Sequence, residues 1–173
     1  MARIRYEYLQ RRTSEAGQTG TVTYNLPAKG VIPEITLRVS FTPTATTNPA
    51  QPINDFITRI EVVDGSRVIK SYSGNQCHGL EMIHKNQHRA SEELNDNAVA
   101  GVDDFTILLG GTFNGVTYAP DFSRFSNPQL RITWDASLTV TQRGMVVDAD
   151  TAPAQLFTVI AKVIEDGGRF SHG

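Results

Sequence analysis

The stretch ITRIEVVDGSRVIKSYSGNQCHGLEMIHKN, residues 57–86, decides the fold class. The run from Phe56 to Val63 is rich in β-branched residues and reads as a strand. Asp64-Gly65 follows, the pair that the positive φ angles of a type I′ hairpin favour. RVIKSY is the return strand and ends at Tyr72. Ser73, with Gln76 three residues on, has the form of a capping box and opens a helix over roughly 75–89. On a helical wheel Leu80, Ile83 and Ala90 share one side, and Cys77, Glu81, His84 and His88 form a neighbouring stripe.

Outward from this unit the chain is almost entirely strand. In residues 3–9 Ile4, Tyr6 and Tyr8 alternate with Arg3, Arg5 and Glu7, the pattern of a half-buried terminal strand. Gln10 to Gln18 reads as a flexible connector, so residues 1–18 form an N-terminal strand or arm that need not pack where it starts. Val22, Tyr24 and Leu26 mark a second strand, and Ile35, Leu37, Val39 and Phe41 a third with one wet face. The stretch 42–52, rich in Pro, Thr and Asn, is a surface loop, and 91–104 is an acidic one. Phe105, Ile107 and Leu109 make a strand, as do Leu130, Ile132 and Trp134, then Leu138 and Val140, and finally residues 155–165. The tail over 166–173 should be mobile.

The sum is eight or nine strands with one helix, which argues a β-sandwich or barrel over alternating strands and helices. Tight-turn neighbours share a sheet, and the hairpin strands are taken as the fifth and sixth of a jelly roll, consecutive and paired. The expected architecture is all-β: a single eight-stranded jelly roll over 1–173, with one flanking helix and the N-terminal strand or arm.

Composition agrees. Val, Ile and Thr supply 44 of the 173 residues, the profile of strands. The net charge of -2 gives no global field to draw the protein onto nucleic acid or anionic lipid. A single cysteine excludes an internal disulfide and the multi-cysteine zinc modules. No apolar run approaches the ~20 residues that span a bilayer, and the charged N-terminus differs from a signal peptide. Folding in the cytosol is the expectation.

Catalytic motifs are missing: there is no G-x-S-x-G elbow, P-loop, H-E-x-x-H or dinucleotide fingerprint, and no H-x-H pair of the cupin kind. The ligand types Cys77, Glu81, His84 and His88 could hold zinc on one helical face, but such a site would be open. The preferred reading is a solvated or interface-facing flank with Cys77 as a small buried residue. Adjacent carboxylates such as Asp103-Asp104 and Glu92-Glu93 fall in a predicted loop and make no acid and nucleophile pair. No catalytic residue, metal or cofactor is assigned.

Two features point to contact surfaces. The N-terminal arm carries Arg3, Arg5, Arg11 and Arg12 against Glu7, interleaved with tyrosines, as a strand that docks on a neighbour's sheet would. The connection 110–128 holds Phe113, Tyr118, Phe122 and Phe125. Rings on such a loop either meet another protein chain, stack on sugar, or fold back over one end of the barrel. The candidate interface is therefore Ile4, Tyr6, Tyr8, Phe113, Tyr118, Phe122 and Phe125, with a carbohydrate-binding or adhesin-like sandwich as the rival reading.

A strand, tight hairpin, strand and helix at 57–86, on a chain of jelly-roll size, resembles the upright single jelly-roll major capsid proteins of tailless, icosahedral, membrane-containing double-stranded DNA phages. Within that family the likeness is to the small major capsid proteins of Thermus phages. The resemblance implies a structural protein of the virion, assembled in the host cytoplasm, with no catalytic residues. It also implies two kinds of partner, further copies of itself and a second jelly-roll capsid protein, over an internal membrane.

Overall fold

The computed structural model describes residues 2–15, 19–41, 57–85, 101–110, 118–135 and 155–166. The elements run β1 (Ala2–Glu15), β2 (Thr19–Asn25), β3 (Val31–Phe41), β4 (Ile57–Asp64), β5 (Arg67–Tyr72), α1 (Gly74–Lys85), β6 (Gly101–Leu108), β7 (Pro128–Asp135) and β8 (Gln155–Asp166). A 3-10 turn occupies Phe122–Arg124. Two four-stranded antiparallel sheets form, one in the order β1-β8-β3-β6 and the other β2-β7-β4-β5. This interleaving of two Greek keys is the jelly roll.

The hairpin strands are the fourth and fifth, not the fifth and sixth. Asp64 pairs with Arg67, so the two-residue turn is Gly65 and Ser66, one position beyond the expected pair. Gly65 takes the positive φ, 59°, that the turn requires. Asp64 is thereby free to reach outside the hairpin. Its carboxylate accepts from the Asn127 N–H at 2.7 Å and ties the hairpin to the start of β7.

Alternation delivers the core. From the first sheet Ile35, Leu37 and Val39 meet Phe157, Val159, Ala161 and Val163; from the second come Ile60, Val62, Leu130, Ile132 and Trp134. The Trp134 and Phe157 rings meet edge to face across the sandwich at 5.4 Å. The capping box forms as expected, with the Gln76 N–H donating to Ser73 Oγ at 3.2 Å and the Ser73 N–H to Gln76 Oε1 at 2.9 Å.

Three expectations change. Residues 10–15 continue β1 on β8 through two register shifts, where a flexible connector was expected. Residues 101–104 are strand, and Asp104 sits opposite Arg38. The helix also turns a different face inward: Cys77 and Glu81 are buried, while Met82 and Ile83 are exposed. The cause is that α1 bridges the two sheets at one flank, where Glu81 accepts from the Thr106 hydroxyl at 3.3 Å and His78 stacks on Phe105 at 5.0 Å. The strand at 138–140, the loop at 42–52, Phe113, His88 and the tail from 167 lie outside the described residues. No helix among the described residues is long and apolar enough to cross a membrane.

Candidate subunit interface

The side chains that could meet another chain follow from which face each strand turns outward. β8 sends Phe157, Val159, Ala161 and Val163 into the core, so Ile160, Lys162 and Ile164 lie on the outer side. β1 pairs Ile4 with Ile164, Tyr6 with Lys162 and Tyr8 with Ile160. The apolar side of β1 therefore faces away from the core, and Ile4, Tyr6 and Tyr8 are 57%, 62% and 51% exposed. Arg5 and Glu7 take the inner side, at the sheet edge. There the Arg5 guanidinium bonds Glu7 at 2.7 Å and Glu165 at 3.1 Å. Only at the register shift does the chain turn a large apolar group inward, placing Leu9 against the core.

Beside this stripe the outer face of the first sheet is polar but internally paired. Arg38 Nε and Nη2 donate to the two Asp104 oxygens at 2.7 and 2.8 Å, a bidentate clamp between β3 and β6 that raises the Arg38 pKa. Lys162 and Glu34 pair at 3.4 Å and are nearly buried. A groove of about 560 Å³ runs between Tyr8, Ile160 and Val102, with Ser40 and Thr158 also lining it. Arg11 caps the Tyr8 ring at 4.6 Å and lines the same groove.

The second sheet's outer face is hydrophilic throughout β2 and β7. Thr21 bonds Thr133 at 3.1 Å, Gln129 donates to Asn25 at 3.0 Å, and Glu61 lies within 3.8 Å of both Arg59 and Arg131. Such a surface already finds partners among its own neighbours.

The aromatic connection resolves into two fates. Asp121 caps the 3-10 turn, accepting from the Ser123 N–H at 3.0 Å and its hydroxyl at 2.7 Å, which holds the Asp121 carboxyl below its ordinary pKa. The Phe122 N–H bonds Gly30 O at 2.9 Å, and Asp121 bridges Val31, so the turn is pinned to the start of β3. Phe122 is in consequence wholly buried, with Phe125 packed beside it at 5.1 Å. Both rings fold back over the end of the sandwich, and Phe122 is closed to a neighbouring chain. Among the described rings of this connection, Tyr118 alone stands out in solvent, 79% exposed, so Tyr118, Phe122 and Phe125 do not form a common platform for stacking on sugar.

Among the described helix residues, Cys77, Glu81 and His84 do not converge as ligands. Cys77 points into the core, where burial first and the Glu81 charge second push its thiol up to about 12, whereas His84 is exposed. Sequence reasoning missed Val68 and Met82, which with Ile83 are exposed on the flank formed by β5 and α1. The signal for Met82 and Ile83 was there: Gly74, Cys77 and Glu81, at helical spacing, could have been tried as the buried stripe.

No family model matches the sequence, and no curated protein does. Solved structures do. PBCV-1 VP54, fitted into a reconstruction of the virophage Sputnik, matches with a TM-score of 0.67 and 14% identity, over 95% of this chain and 42% of that one. The STIV major capsid protein, from Sulfolobus Turreted Icosahedral Virus, matches with a TM-score of 0.64 and 17% identity, over 93% and 48%. The major capsid protein of bacteriophage PM2 matches with a TM-score of 0.55 and 15% identity, over 96% and 52%. The chain thus spans about half the length of each of these structures. At such identities the likeness establishes the jelly-roll fold.

Proposed function

We propose that this chain is a structural protein, a major capsid protein subunit that associates with itself and with a second jelly-roll capsid protein to build the capsomers of an icosahedral virion. One observation carries the reading: of the seven large apolar side chains exposed among the described residues, six gather on opposite flanks of the sandwich. Ile4, Tyr6 and Tyr8 occupy the β1 flank, and Val68, Met82 and Ile83 occupy the flank of β5 and α1. A shell subunit has neighbours on more than one side and needs apolar area on each. The jelly-roll fold, shared with solved structures of viral major capsid proteins, supports the same reading.

Assembly then removes from water the side chains that the isolated fold leaves exposed, at about 25 cal/mol per Å² of apolar surface. No reaction centre enters this account. The function lies in the outer surface, and the location is the capsid, formed in the host cytoplasm.

The test is a concentration series of the purified chain by sedimentation, alone and mixed with a second jelly-roll protein encoded beside it, followed by electron microscopy. Dimers or larger species alone, and regular shells or capsomers from the mixture, are expected. A chain that stays monomeric at every concentration, forms nothing with that companion, and is retained on a glycan array would overturn the proposal in favour of the carbohydrate-binding sandwich.

A further inference from the structure

We infer that β1 pairs antiparallel with β1 of a second copy, about a two-fold axis through Tyr6 and normal to the sheet, joining two four-stranded sheets into one of eight strands. The inference rests on the subunit reading for the presence of a second copy, and adds the surface and the register.

β1 is the terminal strand of its sheet, bonded to β8 on one side. No described strand pairs with its other side, and a long unpaired strand edge is a template for another chain. A two-fold axis normal to the sheet keeps outer side chains on the outer face, so directly opposed residues must share a face. That condition admits only registers in which outward residues meet outward ones, and charge chooses among them.

With Tyr6 opposite Tyr6 of the partner copy, Ile4 lies opposite Tyr8 and Arg5 opposite Glu7, twice each. Every charged residue of the regular segment meets its opposite or a neutral group. The six outward side chains Ile4, Tyr6 and Tyr8 of both copies become one continuous apolar patch. A slip by one step either way opposes Arg5 to Arg5 or Glu7 to Glu7. A second step opposes Arg3 to Arg5, or Arg5 to Arg11. Opposite charges across strands stabilise and like charges destabilise, each by roughly 0.2–1 kcal/mol, so of the five registers centred on residues 4 to 8 one is left without conflict. The pairing needs only residues 4–8, and β1 is in unbroken register with β8 from Ala2 to Tyr8.

The test uses single-cysteine additions to the full chain and a short bis-maleimide linker; the unsubstituted chain, whose one thiol is the buried Cys77, is the blank. Y6C is expected to link to itself, and a mixture of I4C with Y8C to link between chains. I4C alone and Y8C alone should not, because those residues stand about 14 Å from their own copies in this register. Should loss of the tyrosine ring dissolve the pair, charge variants carry the test. R5E alone and E7R alone should each associate about tenfold or more weakly, because like charges then oppose across the axis. Their mixture should recover, since each substituted side chain then faces one of opposite sign. A dimer or shell in which I4C links to itself, Y6C fails to link, or the R5E and E7R mixture fails to recover overturns the register while leaving the subunit reading intact. A chain that never associates overturns both.

Discussion

β1 and β2 follow one another in the chain and obey the same alternation, yet they face opposite ways. β2 turns Tyr24 inward and Thr21 and Thr23 outward, with Val22 packed against the core. β1 turns Tyr6 and Tyr8 outward and leaves Arg5 and Glu7 to the inner side of a sheet edge. Period two fixes which residues share a face, but the partner strand fixes which face is the core. β7 alternates Leu130, Ile132 and Trp134 inward, and its pairing with β2 places Tyr24 beside Leu130. β8 alternates just as strictly, and its pairing with β1 places the tyrosines beside its outward residues. Under the capsid proposal the inverted strand is the one that acts outside its own chain.

The contrast can be broken by substitution. Tyr24→Ala, in the β2 core, should cost about 3–5 kcal/mol, and Tyr6→Ala, on β1, within about 0.5 kcal/mol for the isolated chain, both by urea unfolding. Equal costs would mean that β1 is buried in the same sense as β2. The core should also respond to alkali in a way the exposed faces do not. Cys77 is neutral in the fold with its pKa pushed up to about 12, against an unfolded value of 9.0. Stability from the neutral thiol is therefore full below pH 9.0, and is lost as pH rises toward about 12. The span corresponds to at most about 4 kcal/mol, and Cys77→Ala should flatten that limb of the stability profile while lowering stability at neutral pH.

Smaller effects sharpen the comparison further. Gly20, on the inner side of β2, lies against the Trp134 indole, so that a Cβ there would collide with the ring. Gly20→Ala should cost about 1–3 kcal/mol, measured by the thermal midpoint, because the ring must shift in a filled core. Asp104→Asn removes the negative charge and one of the two acceptor oxygens that face exposed Arg38 on the first sheet's outer face. It should cost no more than about 1 kcal/mol, and less in high salt. Last, Tyr6→Ala with its near-unchanged fold should still lose self-association in sedimentation, separating the role of the stripe in assembly from its role in folding. A variant that assembles normally would remove the stripe from the interface.

Much of the fold was legible because it is local. The capping box at Ser73 and Gln76, the glycine at 65 and the alternations of β2, β3 and β7 are written in residues a few positions apart. The hairpin turn slipped by one position because Asp64 has a partner, Asn127, that no local window contains. The helix face was misjudged for a related reason: hydropathy favoured Leu80 and Ile83, whereas docking beside β6 gave Glu81 a hydrogen-bonding partner in Thr106 and made its burial tolerable. The aromatic loop concealed a local signal, the Asp121 cap on Ser123, that marks where the chain turns Phe122 back into the core.

Sequence alone determined that this protein is built of strands with a helix after the hairpin, and which side chains travel together on each strand, because backbone geometry enforces both over a few residues. Tertiary structure alone decided that the stripe of Ile4, Tyr6 and Tyr8 faces water, that Phe122 does not, and that β1 is an edge. Those outcomes depend on pairing with β8 and β3, segments far along the chain, and no alternation within a strand specifies the register of its partner.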